Sequence, residues 1–145
     1  RDCLEGFVMQ QTNFPFVAIV HDDASTDNSA AIIREYEEKY PNIIKPIYEK
    51  ENQWRKGTLT KVMNTAIEAT GAKYVAMCEG DDYWTDPLKL QKQVDFMEAN
   101  PECVLCFTNA TVISDDPQER KIYDHLEERD YSAIEIYKTW TIQNL

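Results

Sequence analysis

The sequence predicts an α/β protein whose sheet is largely parallel and carries helices on both faces. Short apolar runs alternate with stretches of helical periodicity along most of the 145 residues. Two of the apolar runs end in clusters of acidic residues, at the sheet edge where open α/β folds bind ligands. No internal repeat, low-complexity tract or convincing linker interrupts this order, so we expect a single domain over residues 1–145.

Four apolar runs predict the strands. They lie at residues 16–20, 43–48, 74–78 and 103–113. The second run is the weakest because Pro46 removes a backbone donor, whereas the third is apolar throughout and is typical of a buried strand. A long surface loop is expected at residues 114–120, which contain two acids and a proline.

Helical periodicity predicts three helices between and after these strands. The apolar positions are Ile32, Ile33, Tyr36 and Tyr40; Val62, Met63, Ala66 and Ile67; and Leu90, Val94 and Met97. Ser25, Thr26 and Asp27 are each good N-cap candidates for the first of these helices. The alternation of strand and helix favours parallel pairing with right-handed crossovers.

Composition and charge exclude several classes of partner. The net charge is -11 and no stripe of Lys and Arg occurs, so we expect no direct binding to nucleic acid or to an anionic membrane. No run approaches the ~18 apolar residues of a membrane span, and no charged and apolar leader is visible. We therefore expect a cytoplasmic protein.

The four cysteines are expected to be buried, reduced thiols. Cys103 and Cys106 have the CxxC spacing of zinc and redox sites. They fall within a predicted strand, however, where residues three apart point to opposite faces and cannot easily share a metal. No second CxxC or paired His supports a zinc site.

The acidic cluster Glu79-Gly80-Asp81-Asp82 directly follows the third predicted strand. Its three carboxylates repel one another and are costly to desolvate, so a bound cation is an effective way to keep them ionised. Oxygen ligands of this kind suit Mg²⁺ or Mn²⁺, with phosphate oxygens of a ligand completing the shell. A solvated acidic turn that caps the following helix at Pro87 explains the same residues about as well.

A second acidic turn, residues 21–27, follows the first predicted strand. Helix capping accounts for its last three residues but leaves Asp22 and Asp23 unexplained. Because the carboxyl ends of parallel strands meet at one edge, Asp23 is expected to line the same crevice as Asp81 and Asp82. One acid could then accept a hydrogen bond from a base or ribose while another holds a metal.

Residues 19–27 resemble the VVDDGSTD signature of family 2 glycosyltransferases. Residues 79–82 then fall where that family carries its DxD-type motif. The family's DDxWxPxKL pattern continues, with one extra residue, in Trp84, Pro87, Lys89 and Leu90. Residues 1–12 are similar to its first helix, which typically ends near a Gln-Thr pair. The resemblance spans about residues 1–113 and implies a GT-A type, Rossmann-like fold that binds a nucleotide-diphosphate sugar.

The resemblance also implies individual roles. Asp23 matches the carboxylate that hydrogen-bonds the nucleotide base, and Gly57 matches a loop glycine that permits close backbone approach. Asp81 and Asp82 match the acids that contact the ribose and hold Mn²⁺ or Mg²⁺ on the diphosphate, with Asp82 as the direct ligand. Glu79 replaces the commoner Asp, which leaves its role open.

Some neighbouring positions carry weaker expectations. Met63 stands where many members have Arg, so a base or phosphate contact is either absent or supplied by Lys56 or Lys61. Tyr83 and Trp84 could wall a sugar pocket, although packing against the following helix is the favoured interpretation.

By the same resemblance, the sequence begins inside the family's first helix and lacks its first strand, and the general base is expected downstream of Leu145. We therefore expect an internal portion of a hexosyltransferase-type enzyme, incomplete at both ends, that carries the donor-binding half and does not complete transfer alone. The acidic side chains near its end are interpreted as a solvated helical face, at Asp124, Glu127, Glu128 and Asp130.

The implied reaction moves a sugar from a nucleotide-diphosphate donor, above all a UDP-sugar, to an acceptor hydroxyl with inversion. The acceptor would be a saccharide or lipid-linked molecule in polysaccharide or glycolipid assembly, in the cytoplasm or at the inner face of the membrane. Two alternatives stay open: a metal-dependent nucleotidyltransferase or phosphohydrolase, and a non-catalytic nucleotide-binding module.

Overall fold

The computed structural model describes residues 1–114, 121–123 and 132. The chain divides into two compact units, Arg1–Leu105 and Cys106–Leu145. The expectation of one domain stays a prediction. Most of the loop predicted at residues 114–120 and the acidic face predicted at Asp124, Glu127, Glu128 and Asp130 lie outside the described residues.

The first unit contains five helices and two strands among its elements. They are α1 (Asp2–Val8), β1 (Ala18–Asp22), α2 (Ser29–Lys39), β2 (Ile44–Tyr48), α3 (Gln53–Lys56), α4 (Leu59–Thr70) and α5 (Lys89–Ala99). β1 and β2 pair in parallel, with Ala18 opposite Ile44 and Asp22 opposite Tyr48. Since α2 connects the two strands, this pair confirms the predicted α/β class with a parallel sheet.

The core of this unit forms where α1 and α2 pack on β2. Leu4, Ile33, Tyr36 and Ile44 are buried together, and Ile44 is only 1% exposed. Ile33 and Tyr36 are three positions apart and therefore share one face of α2. Burying a side chain of this size contributes roughly 1.5–3 kcal/mol, so this face of α2 holds the helix against the strands.

α1 is shorter than predicted because its backbone finds a partner elsewhere. The helix ends at Val8 rather than near residue 12. The Gln11 N–H donates to the Pro87 carbonyl at 2.8 Å, so it is not available to continue α1. On the other side, α1 is tied to α2 by the Arg1–Glu35 ion pair and by the Tyr36 hydroxyl, which donates to the Glu5 carboxylate.

The prediction of a buried third strand at residues 74–78 is wrong. These residues join no sheet, and Val75 and Met77 are 54% and 89% exposed. A run of apolar residues becomes a strand only when a neighbouring strand accepts its backbone hydrogen bonds. Within the described residues, the parallel sheet consists of β1 and β2 alone, and residues 74–78 pair with neither strand.

The predicted fourth strand is mostly wrong as well. Of residues 103–113, only Ala110–Val112 forms a strand, β3, which pairs antiparallel with β4 (Lys121–Tyr123) in the second unit. Antiparallel neighbours can be joined by a short connection, whereas a parallel neighbour needs a long crossover. None of the helices in the described ranges is long and apolar enough to span a bilayer.

Candidate functional site

The first acidic turn begins inside β1 with a buried carboxylate. Asp22 is 6% exposed, and its Oδ1 has no hydrogen-bond partner in the described part of the chain. The neighbouring His21 Nε2 is also buried without a hydrogen bond, and it lies 3.8 Å from Glu49 Oε1. Buried polar atoms are normally satisfied, so this end of β1 retains unused hydrogen-bonding capacity.

Asp23 has a structural role that the sequence did not predict. Its Oδ1 accepts the Gln53 N–H at 2.5 Å, and its Oδ2 accepts the Trp54 N–H at 3.1 Å. The carboxylate therefore caps the first turn of α3, so helix capping does account for this acid, although the capped helix is not the one that follows it. Partial burial opposes ionisation, but the two backbone donors and nearby His21 hold the pKa of Asp23 below its usual value.

The loop around α3 is fastened to the same turn. The Asn52 amide donates to the Asp23 carbonyl at 3.2 Å, while its oxygen accepts the Arg55 N–H at 2.8 Å. α3 then stops at Gly57, whose φ of 70° is left-handed. An added Cβ there would meet nothing within 4 Å, so the fold requires glycine for its backbone angle, and the expected close approach of a nucleotide stays a prediction.

Two further residues shape the first turn. Ala24 has a φ of 60°, a left-handed conformation that strains an alanine, at the position where the family signature has glycine. Asp27 Oδ1 accepts the Ser29 N–H at 2.9 Å at the start of α2. Among the three predicted caps, Asp27 makes this bond, while Asn28 occupies the N-cap position itself.

The second acidic turn, residues 79–82, is positioned by α1 rather than by a strand. The Cys3 thiol donates to the Glu79 carbonyl at 3.4 Å. Gly6 packs closely on Trp84, which follows the acidic turn: a Cβ at Gly6 would lie 2.9 Å from the backbone nitrogen of Trp84. At the far end, the buried Gln10 amide donates to the Asp86 carbonyl at 2.9 Å. These contacts hold the segment on both sides of the acids.

The aromatic residues after the acids have different environments. The Trp84 ring meets Phe7 of α1 edge to face at 4.9 Å, and Lys89 of α5 lies 5.5 Å from its centroid. Trp84 therefore contacts Phe7 of α1 as well as Lys89 of the following helix, so the expected packing against that helix describes only part of its environment. Tyr83 is 41% exposed.

The carboxylates of Asp81 and Asp82 are exposed, and neither forms a hydrogen bond or ion pair with the described residues. A backbone bond from the Asp82 N–H to the Glu79 carbonyl, at 3.1 Å, closes the turn that presents them. No group of three or more metal-ligating side chains occurs among the described residues. The pair thus suits a cation such as Mg²⁺ that takes one or two protein carboxylates and completes its shell with phosphate and water.

The thiols beside this turn are poorly suited to nucleophilic chemistry. Burial raises the pKa of Cys78 to about 12, with the adjacent Cys3 thiol and the Asp82 charge acting in the same direction. Burial also raises the pKa of Cys3. Because the thiolate is the reactive form, the raised pKa values leave both thiols largely protonated and weakly nucleophilic near neutral pH.

Each acidic turn is well anchored, but no hydrogen bond or ion pair between described residues joins one turn to the other. The roles assigned to Asp23, Gly57, Asp81 and Asp82 therefore stay predictions. Lys56 was one of the two lysines expected to replace the basic contact that is missing at Met63. It forms an ion pair with Glu51.

Gln10 and Asn52 were missed by sequence reasoning. Each is a polar side chain that bonds backbone groups distant in sequence, and neither lies in an acidic or apolar pattern. The only available signal for Gln10 was its place at the end of a predicted helix.

Comparison with known proteins gives consistent matches. The family described as glycosyl transferase family 2 matches residues 1–144. An uncharacterized protein of Mycobacterium tuberculosis (strain ATCC 25618 / H37Rv), Rv1520, is 44% identical over 116 residues, which cover 80% of this chain and 32% of the relative. No solved structure gave a significant match.

Two further relatives have names that state an activity. A protein of Bacillus subtilis (strain 168) that is named for teichuronic acid biosynthesis, TuaG, is 32% identical over 119 residues, covering 80% of this chain and 44% of the relative. Amylovoran biosynthesis glycosyltransferase AmsE of Erwinia amylovora is 28% identical over 116 residues, covering 80% and 40%.

The chain spans between about a third and under half the length of these relatives, at 32%, 44% and 40%. Its α/β order and parallel strand pair agree with the GT-A type of fold. Because the match covers residues 1–144 of 145, the chain belongs to glycosyl transferase family 2.

Proposed function

We propose that this chain forms the donor-binding part of a glycosyltransferase, which moves a sugar from a nucleoside diphosphate, most simply UDP, to an acceptor hydroxyl with inversion. The observation that carries the proposal is the pair of exposed, unengaged carboxylates of Asp81 and Asp82 on a turn whose backbone is held by Cys3 of α1 and by Gln10. Fixed backbone and free side chains are what a ligand site requires and what a purely structural turn does not.

Electrostatics favours a cation at this turn. Two adjacent carboxylates repel each other, and no cationic side chain among the described residues pairs with either of them. Asp82 would be the direct ligand, Asp81 would contact the ribose and share the metal, and the donor's diphosphate would supply the remaining oxygens. When bound, Mn²⁺ or Mg²⁺ would supply charge neutralisation of the departing nucleoside diphosphate.

Asp23 would receive the nucleotide base. Both of its oxygens already accept a backbone N–H, but each carboxylate oxygen has a second lone pair. The same bonds stiffen the carboxylate, so a base can bind it without ordering a mobile side chain first. The unpartnered Oδ1 of buried Asp22 lies on the adjacent residue and provides further acceptor capacity.

The acceptor and product class are proposed from the relatives. TuaG and AmsE are named for teichuronic acid and amylovoran biosynthesis, which supports a saccharide or lipid-linked acceptor in polysaccharide assembly. A cytoplasmic reaction, at the inner face of the membrane when the acceptor is lipid-linked, is proposed with it.

Calorimetry with UDP and Mn²⁺ tests the donor site. We expect binding that requires the metal and falls by about 100-fold or more in Asp82→Asn, since a directly ligating charge is lost. The matched control is Asp95→Asn, which removes an exposed carboxylate from α5 and should bind like the parent. Metal-independent UDP binding, or equal binding by Asp82→Asn, would contradict the assignment.

Product analysis tests the reaction class. Residues 1–145 alone, incubated with a labelled UDP-sugar, Mn²⁺ and acceptors, should bind the donor without completing transfer, whereas the whole enzyme of which they form the donor-binding part should give label in a glycosylated acceptor. Release of free labelled sugar phosphate, with no acceptor dependence, would instead indicate a phosphohydrolase.

A further inference from the structure

In the described part of the chain, an exposed aromatic residue, Trp54, stands beside Asp23. Trp54 is 74% exposed. An indole left in water does not contribute the stabilising free energy that its burial would provide. On the basis of the proposed function, we propose that the Trp54 indole stacks on the nucleobase of the donor while Asp23 hydrogen-bonds the edge of that base.

The residue that carries this indole is rigidly mounted. Its N–H donates to Asp23 Oδ2 at 3.1 Å, and its carbonyl accepts the Gly57 N–H at 3.0 Å. The adjacent Gln53 is held in the same way, with its N–H on Asp23 Oδ1 at 2.5 Å and its carbonyl accepting the Thr58 N–H at 3.0 Å. A fixed backbone reduces the ordering cost that a stacking contact would otherwise incur.

Proximity to Asp23 selects the base as the occupant. The carboxylate bonds the backbone of Trp54 itself, so a planar ring that binds the free lone pairs of Asp23 would lie next to the residue that carries the indole. Recognition of a base by an edge hydrogen bond together with an aromatic face is a recurring combination in nucleotide-binding sites. The donor sugar lies at the other end of the nucleotide, beyond the diphosphate.

The other aromatic residues of this region are less suitable. Trp84 already packs on Phe7, and its backbone touches α1 at Gly6. Tyr83 follows the metal-binding acids directly and would meet the diphosphate or sugar end. The nearby Lys56 forms an ion pair with Glu51. Trp54 is the exposed aromatic side chain of this loop.

The test compares three ligands with Mn²⁺ present: UDP, uridine and pyrophosphate. In Trp54→Ala, we expect UDP affinity to fall by roughly 5- to 100-fold, since stacking on one base is worth about that factor. Uridine affinity should fall in parallel, whereas pyrophosphate affinity should not change. Trp54→Phe should restore most of the UDP affinity, and Phe96→Ala, which removes an exposed ring from α5, should behave like the parent.

Fluorescence supplies a second readout. UDP should quench tryptophan emission in the parent, and Trp54→Phe should abolish that quenching although two other tryptophans remain of the three. If Trp54→Ala binds UDP as tightly as the parent, the inference is overturned but the proposed function is not. An equal loss of affinity for pyrophosphate would also overturn the inference, because it would indicate a general structural role for Trp54. Absence of UDP binding by the parent would overturn the proposed function together with the inference.

Discussion

The two acidic turns of this protein are held in place by different means. The first turn ends a paired strand, and its Asp23 carboxylate is committed to two backbone N–H groups of α3. The second follows a segment that joins no sheet, and it is held by Cys3 and Gly6 of α1 and by Gln10, which lies two residues beyond the end of that helix. The carboxylates of the second turn remain exposed.

This difference shows that a strand is not the only device that can position acids at a site. In the first turn, ladder hydrogen bonds set the backbone, and Asp23 then organises the loop around α3, which lies beyond β2 in the chain. In the second, α1 and the residues just after it replace the strand as the support, and the side chains of Cys3 and Gln10 donate to the Glu79 and Asp86 carbonyls. The first turn is therefore suited to shape recognition, and the second leaves its charges available for a cation.

Removing Gln10 should have the largest effect on stability. Its buried amide donates to Gly6 and Asp86 and accepts the Leu90 N–H at 3.1 Å. Gln10→Ala should lower the free energy of unfolding by about 2–3 kcal/mol, because buried polar groups lose their partners. Urea denaturation measures the change. The matched control Gln11→Ala removes an exposed side chain and should stay within about 0.5 kcal/mol of the parent; equal effects would show that α1 does not clamp the second turn in this way.

Overpacking at Gly6 should have the next largest effect. In Gly6→Ala, the new Cβ would lie 2.9 Å from the backbone nitrogen of Trp84 and 3.1 Å from its carbonyl oxygen. Backbone atoms cannot rotate away, so the clash should destabilise by about 1–3 kcal/mol, reduced by roughly 1 kcal/mol of improved helix propensity. Thermal unfolding of Gly6→Ala can be compared with Gly80→Ala, whose Cβ meets nothing within 4 Å. A stabilised Gly6→Ala protein would exclude the close packing of α1 on Trp84.

Relieving the strain at Ala24 should stabilise the first turn slightly. Ala24 has a φ of 60°, which costs an alanine roughly 1–2 kcal/mol, while glycine loses roughly 0.4–1 kcal/mol through the entropy of the unfolded chain. Ala24→Gly should therefore raise the free energy of unfolding by about 0.5–1 kcal/mol in urea denaturation. Ala31→Gly, at an exposed position of α2, should lower it by a similar amount. Destabilisation by both would mean that the turn does not adopt the left-handed angle.

The smallest effect is a local response to acid. In the folded protein, the pKa of Asp23 is below 3.8, the value of a free aspartate. The stability from its two backbone hydrogen bonds is therefore fully present above pH 3.8. This stability is lost as the pH falls through the lower, folded pKa. The amide proton resonances of Gln53 and Trp54 should therefore shift together in an NMR titration, with a midpoint below 3.8. Asp23→Asn is the control that should lack this step, and a midpoint above 3.8 would contradict it.

The sequence predicted the fold best where the determining interactions are local. Helical spacing located α2, α4 and α5, and the first two apolar runs became β1 and β2 with ends shifted by at most two residues. The acidic motifs identified the two turns for the same reason, since a turn after an apolar run depends on neighbours in the chain. The strand predicted at residues 74–78 was wrong because an apolar run does not reveal whether another strand will pair with it.

By itself, the sequence determined the α/β order, the family and the two acidic turns, because periodicity, composition and motif spacing are properties of neighbouring residues. The tertiary structure decided the rest: that Asp23 caps α3, that Gln10 and Gly6 hold the second turn, and that Val75 and Met77 are exposed. The contacts among these outcomes join groups that are 30 to 78 positions apart in the chain. The free energy of such a contact belongs to the pair, so neither partner carries a signal of it alone.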